Sequence, residues 1–449
     1  MRGMLRSSLS FFLFIVVTQA QDRRTVSEPR VPVIACATLT ADLPSPIPDE
    51  AESRLDTVRI QKAIDGCKAG QKVLLEKGSF LSGPLKLRSG VTLVIDKGAT
   101  LFASRNPRDY EIQPGSCGVV NKAGRGCRAL ITGEGVQNAA IMGGGTIDGR
   151  GREHLIGQKV SWWDLAQEAK VKNENQNCPR LIVVTQSEEF TLYNILLKNS
   201  PNFHVVFNGK GFTAWGVVIN TPKTARNTDG IDPSSATDVT ITHCSIHTGD
   251  DNVAIKAGST GASSHMTIAH NHFYTGHGMS IGSETNGGAS AIHVSDLSID
   301  GADNGLRIKS NVSRGGLVED IVYEDVCIRN TKNPIYMDSN YSFFGEKRDL
   351  PPLFRDIQFH HVHVEGAGKI TLDGLDATHR LGMFFDDVTT DVVKTKFVTH
   401  HATVKVGPGP VNFVLSGEDV QMTGQGTGTS SSCGGKFVPM PSTAGPLEP

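Results

Sequence analysis

Three short strings, NTDGID (227–232), TGDD (248–251) and TGHG (275–278), set Asp229, Asp250, Asp251 and His277 at matching points of a local repeat. Asp250 follows the apolar Ile246 by four residues, His277 follows Phe273 by four, and both pairs are 27 residues apart. A fold that stacks one repeat on the next puts His277 directly against Asp250. Three clustered carboxylates cannot all ionise cheaply, so at least one pKa is expected to be raised. A raised carboxyl can give a proton while an ionised neighbour activates water, which is the division of labour of acid/base hydrolysis. An Asp-Asp doublet by itself describes a solvated turn. Its register with Asp229 and His277 is what argues for chemistry.

His277 lies between Gly276 and Gly278, where the backbone can turn freely and approach a ligand closely. One repeat further on, Arg307 and Lys309 flank Ile308. Alternation turns both cations to one face, opposite the apolar residue. The competing readings are a surface-turn histidine and a solvated basic pair. Their position beside the aspartates favours instead a histidine that tunes or reprotonates the acid, and cations that grip a substrate carboxylate.

These residues need a frame that repeats. FTLYNILLKN (190–199), FTAWGVVIN (212–220), DVTITHCSIHT (238–248), HMTIAHNHFYT (265–275), AIHVSDLSIDG (291–301) and LVEDIVYEDVCIRN (317–330) share one alternating pattern. Taking Leu197, Ile219, Ile246, Phe273, Ile299 and Ile328 as equivalent gives intervals of 22, 27, 27, 26 and 29. Period-two alternation means strand, and a repeat of this length means a solenoid. The expected fold is therefore all-β, a parallel β-helix of about ten coils. A second apolar column is expected to run Ile231, Ile255, Ile281, Ile308, Met337. An antiparallel sandwich also has regularly spaced short strands. It is disfavoured because tight hairpin signals do not separate the segments, and because the polar residues recur on one side. Residues 56–70 have helical spacing (Val58, Ile60, Ile64, Cys67) and are expected to cap the open N-terminal end, as solenoids require. The organisation expected is an export signal over 1–20, a single β-helix domain over 21–425, and a flexible low-complexity tail over 426–449.

Arg2 and Arg6, the apolar run 9–17 and Thr18-Gln19-Ala20 have the order of a secretory signal. Nine apolar residues are too few to span a bilayer. With residues 1–20 removed, the formal charge falls from −2 to −4, which excludes a globally basic nucleic-acid binder. An anionic substrate must then be held by a few local cations. Export favours disulfides, expected for Cys36–Cys67 and Cys117–Cys127. Cys244 and Cys327 fall inside apolar strand patterns and are expected to be buried thiols, with Cys178 and Cys433 unassigned. No C-x-x-C motif argues for a metal cluster. The expectation is an extracellular monomer that needs no metal or cofactor and binds neither membrane nor nucleic acid.

NTDGID, TGDDNVAIK, GHGMSIGSE and NGLRIKS, in that order, resemble the polygalacturonase family of pectin-degrading glycoside hydrolases. The wording is most similar to secreted bacterial endo-polygalacturonases, which like this chain place an asparagine (Asn252) after the Asp-Asp doublet. The resemblance implies a right-handed β-helix and single-displacement hydrolysis of α-1,4 galacturonate bonds with inversion. It assigns Asp250 as general acid, and Asp229 and Asp251 to water activation. His277 supports the acid, and Arg307 and Lys309 bind galacturonate carboxylates. Tyr341 and Asn227 stand where the family has substrate-contacting residues. Coils ~4.8 Å apart suggest a smaller carboxyl separation than the ~6.5–9.5 Å of inverting sites. Inversion is therefore implied by the resemblance and not by spacing.

Three other readings compete with this one. A β-helical pectate lyase needs a calcium site and an arginine base, which suit this order of residues less well. A non-catalytic carbohydrate-binding solenoid has no use for a histidine in register with an aspartate, although fold alone does not decide function. Exo-polygalacturonases close one end of the cleft with insertions, and none of that size lies between residues 190 and 345. Endo action on polygalacturonate or pectin is the expectation.

Overall fold

The computed structural model describes residues 21–341 and 348–442, so the expected export signal (1–20) lies outside them. Alternating apolar and polar residues form strands because one face can pack inward while the other meets solvent. Among the described residues, 28 strands join one continuous hydrogen-bonded system. The long strands Ile182–Tyr193, Val205–Trp215, Ile231–Thr242, Ser263–Phe273, Ala289–Asp300 and Leu317–Arg329 stack in parallel, each on the next. The fold is the expected parallel β-helix, with the right-handed sense that parallel crossovers take.

Registration is residue by residue. Leu197, Ile219, Ile246, Phe273, Ile299 and Ile328 pair successively, all of them buried. The second column holds from Ile255 through Ile281 and Ile308 to Met337. Its expected first member needs correction, because Ile231 pairs with Val253. A shift of two residues keeps a side chain on the same face, so alternation cannot detect it. Further inside, Phe190, Phe207 and Phe212 stack within one apolar core, with centroids 4.9–6.3 Å apart.

Helix α1 (Thr57–Gly66) packs Ile60 and Ile64 onto the first coils. Val58, expected on its apolar face, is instead 80% exposed. A second helix, α2 (Trp162–Lys172), was missed. Its start is marked in the sequence by Ser161 and Asp164, which form a reciprocal capping box, and Trp162 plugs it into the core against Tyr110. The helix braces the segment that leads to Asp229. Gln167 donates to the Thr224 carbonyl (3.2 Å) and Arg226 to the Ala166 carbonyl (3.1 Å).

The cystines Cys36–Cys67 and Cys117–Cys127 are present, and Cys178 and Cys244 are buried thiols. Cys327 is not a free thiol: it is bonded to Cys433. With it, residues 427–438 are held against the coils where a loose tail is expected. Lys436 reaches Asp296, Arg329 lies over the Phe437 ring at 4.1 Å, and Tyr274 donates to the Val438 carbonyl. Composition registered the absence of strand pattern and not this tether. No helix among the described residues is long and apolar enough to cross a membrane.

Candidate active site

The short strands Ser245–His247 and Val253–Ile255 are joined by the turn that carries Asp250 and Asp251. Asn252 makes that turn rigid. Fully buried, it donates to the carbonyls of Ile246 and Thr275 (both 3.0 Å), and its side-chain oxygen accepts from the Gly278 N–H (2.8 Å). One amide side chain thus ties the aspartate turn to the histidine turn of the next coil. Gly278 is required there, with φ +73° and a notional Cβ 2.1 Å from the Gly305 carbonyl oxygen.

The register expected of His277 is met. Its backbone N–H donates to the Asp250 carbonyl (2.9 Å), and Nδ1 lies 3.0 Å from Asp250 Oδ1. The Asp251 N–H donates to Asp250 Oδ1 (2.9 Å), and Asn227 Nδ2 approaches Oδ2 at 3.4 Å. Burial pushes the Asp250 carboxyl up, but the hydrogen bond and charge of His277, backed by Lys309, hold it well below the usual carboxylate range. For His277, burial opposes the charge, yet Asp250 and Asp251 raise its pKa above the ordinary imidazole value. The proton of this pair therefore sits mainly on the imidazole.

Asp251 is gripped by three donors. Ser280 Oγ lies 2.7 Å from Oδ1, Arg307 Nη1 3.3 Å from Oδ1 and Lys309 Nζ 2.7 Å from Oδ2. Burial alone would raise its pKa, but Lys309 and Arg307 lower it, so it stays ionised. Tyr341 lies against both cations, its ring centroid 5.3 Å from the Arg307 guanidinium and 5.8 Å from the Lys309 ammonium.

Asp229 behaves in the opposite way. Burial drives its pKa well above the carboxylate range, Lys256 only partly offsets this, and Asp232 adds like charge. Its Oδ2 is 3.3 Å from Lys256 Nζ, while Oδ1 is buried with no hydrogen-bond partner. Lys256 also holds Asp232 at 2.8 Å. Asp232, Lys256 and Ser280 were missed by sequence reasoning, and Asn252 was noted there only as a mark of the resemblance. A signal was present for all four, since they sit inside the quoted strings NTDGID, TGDDNVAIK and GHGMSIGSE.

All eight expected site residues thus converge: the aspartates, His277, Asn227, Arg307, Lys309 and Tyr341. The site combines a proton-bearing histidine–carboxylate pair, a carboxylate whose pKa two cations lower and a carboxylate with a raised pKa. Asp250, Asp251 and His277 bring ligand atoms within 4.8 Å of one another, a set able to take a cation. Arg307 and Lys309 already supply positive charge to one member of it.

The sequence profile of Glycosyl hydrolases family 28 matches residues 63–407. The chain belongs to that family. It is 50% identical over 372 residues to an endo-polygalacturonase of Pectobacterium parmentieri, covering 81% of this chain and 89% of the relative. A polygalacturonase of Ralstonia nicotianae is 40% identical, with 93% of each chain covered. Among solved structures, a polygalacturonase from Erwinia carotovora ssp. carotovora superposes with a TM-score of 0.80 at 47% identity, over 86% of this chain and all of that one. As a family 28 member, the chain carries its aspartates and histidine on stacked coils of the β-helix described above.

Proposed function

We propose that this family 28 glycosyl hydrolase cleaves α-1,4 bonds between galacturonate units within polygalacturonate and pectin chains, by single displacement with inversion. The observation that carries the reading is the carboxylate cluster around one histidine: Asp250 hydrogen-bonded to the proton-bearing His277, Asp251 held by Arg307 and Lys309, and Asp229 buried beside them. Relatives named endo-polygalacturonase and polygalacturonase support the substrate and the reaction.

In this mechanism Asp250, the most exposed of the three aspartates (its side chain is 20% exposed), gives its proton to the glycosidic oxygen as the bond to the anomeric carbon breaks. Water attacks that carbon from the opposite side and loses its proton to Asp229 or Asp251. His277 holds the exchangeable proton in the free protein and returns it to Asp250. Arg307 and Lys309 take a galacturonate carboxylate beside the scissile bond, with Tyr341 against the sugar. The charge-assisted, forked contact of an arginine suits a planar carboxylate.

Export and a monomeric state are part of the proposal. The three cystines and the apolar N-terminal run support an oxidising destination. The deciding experiment is brief digestion of polygalacturonate, with products sized and the configuration of the new reducing end followed by NMR. Mid-sized oligomers with inverted ends are expected. An unsaturated, ultraviolet-absorbing product would instead mean elimination, and monomer from the outset would mean exo action.

A further inference from the structure

The cations of the proposed mechanism all lie at Asp251 or beyond it along the stack. Two more lie on the other side and have no task. Ile182, Val205, Ile231 and Val253 pair in succession, so two residues earlier Arg180, Phe203, Asp229 and Asp251 form one column. Backbone bonds Leu181 to Phe203, His204 to Asp229 and Gly230 to Asp251 (2.8–3.0 Å) carry that register. Arg180 therefore stands two coils before Asp229, about 10 Å along the axis at ~4.8 Å per coil. Arg307 stands two coils beyond Asp251 in the opposite direction.

We propose that Arg180 and Arg125, with the ring of Phe203, form a second carboxylate-binding position, which takes a galacturonate unit on the N-terminal side of the cleaved bond. The Arg180 guanidinium lies 4.8 Å from the Phe203 ring centroid. Arg125 comes from the loop closed by Cys117–Cys127, and that loop is pinned by the Gly126 N–H bond to Asn177 (2.8 Å). The three residues are shared by two adjoining hollows of about 700 and 680 Å³.

Neither arginine has a carboxylate partner among the described residues, whereas their cationic neighbours do. Lys256 is met by Asp229 and Asp232, and Arg314 by Glu284 at 2.7 Å. Burial lowers the Arg180 pKa, Asp232 works against this, and the like charge of Arg125 adds to the lowering. An anion seated between the two guanidiniums would relieve that repulsion. Arginine matches a carboxylate in forked geometry, and the Phe203 ring, with the Arg180 guanidinium at 4.8 Å and Lys256 Nζ at 4.2 Å from its centroid, holds the cations in place. Paired guanidiniums describe a uronate and not a neutral hexose. Cations on both sides of the aspartates would hold a chain that continues in both directions, as cleavage within a polymer requires.

The inference rests on the hydrolase reading, and the test separates the two. Initial rates are measured for the parent, Arg180→Ala, Arg180→Lys and Arg125→Ala on polygalacturonate, on highly methyl-esterified pectin and on oligogalacturonates of defined length. For Arg180→Ala, KM on polygalacturonate is expected to rise about tenfold or more with kcat little changed, the pattern of lost uniform binding. The loss should grow with oligomer length, shrink on the esterified substrate, and be partly restored in Arg180→Lys. Arg125→Ala, on a surface loop, should show the same pattern in smaller degree, and it carries the test alone if Arg180→Ala does not fold. Variants that match the parent in KM and in preference for the free acid would overturn the second position and leave the hydrolase reading intact. A parent that does not cleave polygalacturonate would overturn both.

Discussion

The proton shared by Asp250 and His277 sets the range in which the proposed chemistry can run. His277 has a raised pKa, so the pair keeps its proton to a pH above the ordinary imidazole value of ~6.5. Asp229, raised by burial, must lose its proton before it can accept one from water. Turnover should then fall on the acid side as Asp229 protonates and on the alkaline side as the pair loses its proton, with both limbs belonging to coupled groups. In His277→Ala the acid stands without the histidine's charge, so the alkaline limb should move to lower pH and turnover should drop. A pH–rate series at saturating polygalacturonate checks this, and profiles that superimpose after scaling would leave His277 only a positional role. Asp250→Asn should lose ~10²–10⁴-fold of turnover, the usual worth of general acid/base help, with an unchanged melting curve. Activity within a few-fold of the parent would move the acid to Asp229, the carboxyl with the raised pKa. At this scale the sequence was highly legible, because Asp250, His277, Arg307 and Lys309 lie at repeat offsets that stacking converts directly into contacts. The Lys256–Asp232 pair was not, since one buried cation serving two carboxylates depends on side-chain reach across coils.

Each strand contributes one residue to a column, so an error in the frame is also an error in the site. Ile246 and Phe273 pair in register, and four residues later come Asp250 and His277. Replacing Phe273 by alanine should cost ~3–5 kcal/mol as a cavity opens in the core, and turnover should fall because the histidine turn loses its support. Asn252→Ala would leave the Gly278 N–H without a partner in a buried turn, and the Ile246 and Thr275 carbonyls with only their backbone donors, Tyr274 and Thr248. At ~1–3 kcal/mol for an orphaned group, the melting temperature should drop well below that of a surface substitution, and activity with it. Denaturant unfolding in parallel with rate measurements separates the two effects. Period-two alternation and repeat length were enough to give the columns, but not the phase of Ile231, because either of two inward positions satisfies the same pattern. The capping box of α2 was readable in principle. It lies between recognisable coils where no repeat draws attention to it.

Over the whole molecule, the least legible part was the C-terminal segment. A Gly/Ser/Thr/Pro-rich composition predicts freedom, and one cystine together with Lys436 and Tyr274 removes it as far as Val438. Cys433→Ser should release this segment to limited proteolysis while the coils stay folded, with turnover of polygalacturonate retained. Loss of activity together with the clip would show that the strap supports the cleft. A different consequence follows from the pairing of every coil with the next. A stack of this kind has no hinge at which it could be cut and rejoined out of phase: a one-residue deletion between Ile246 and Asp250 would swing the acid away from its histidine. Complete turns are a different matter, because an added turn brings a full set of inward and outward positions with its own neighbours already specified. Lineages that gain or shed whole turns near either end could therefore lengthen or shorten the trough, one sugar contact at a time, while the chemistry at its middle remains untouched.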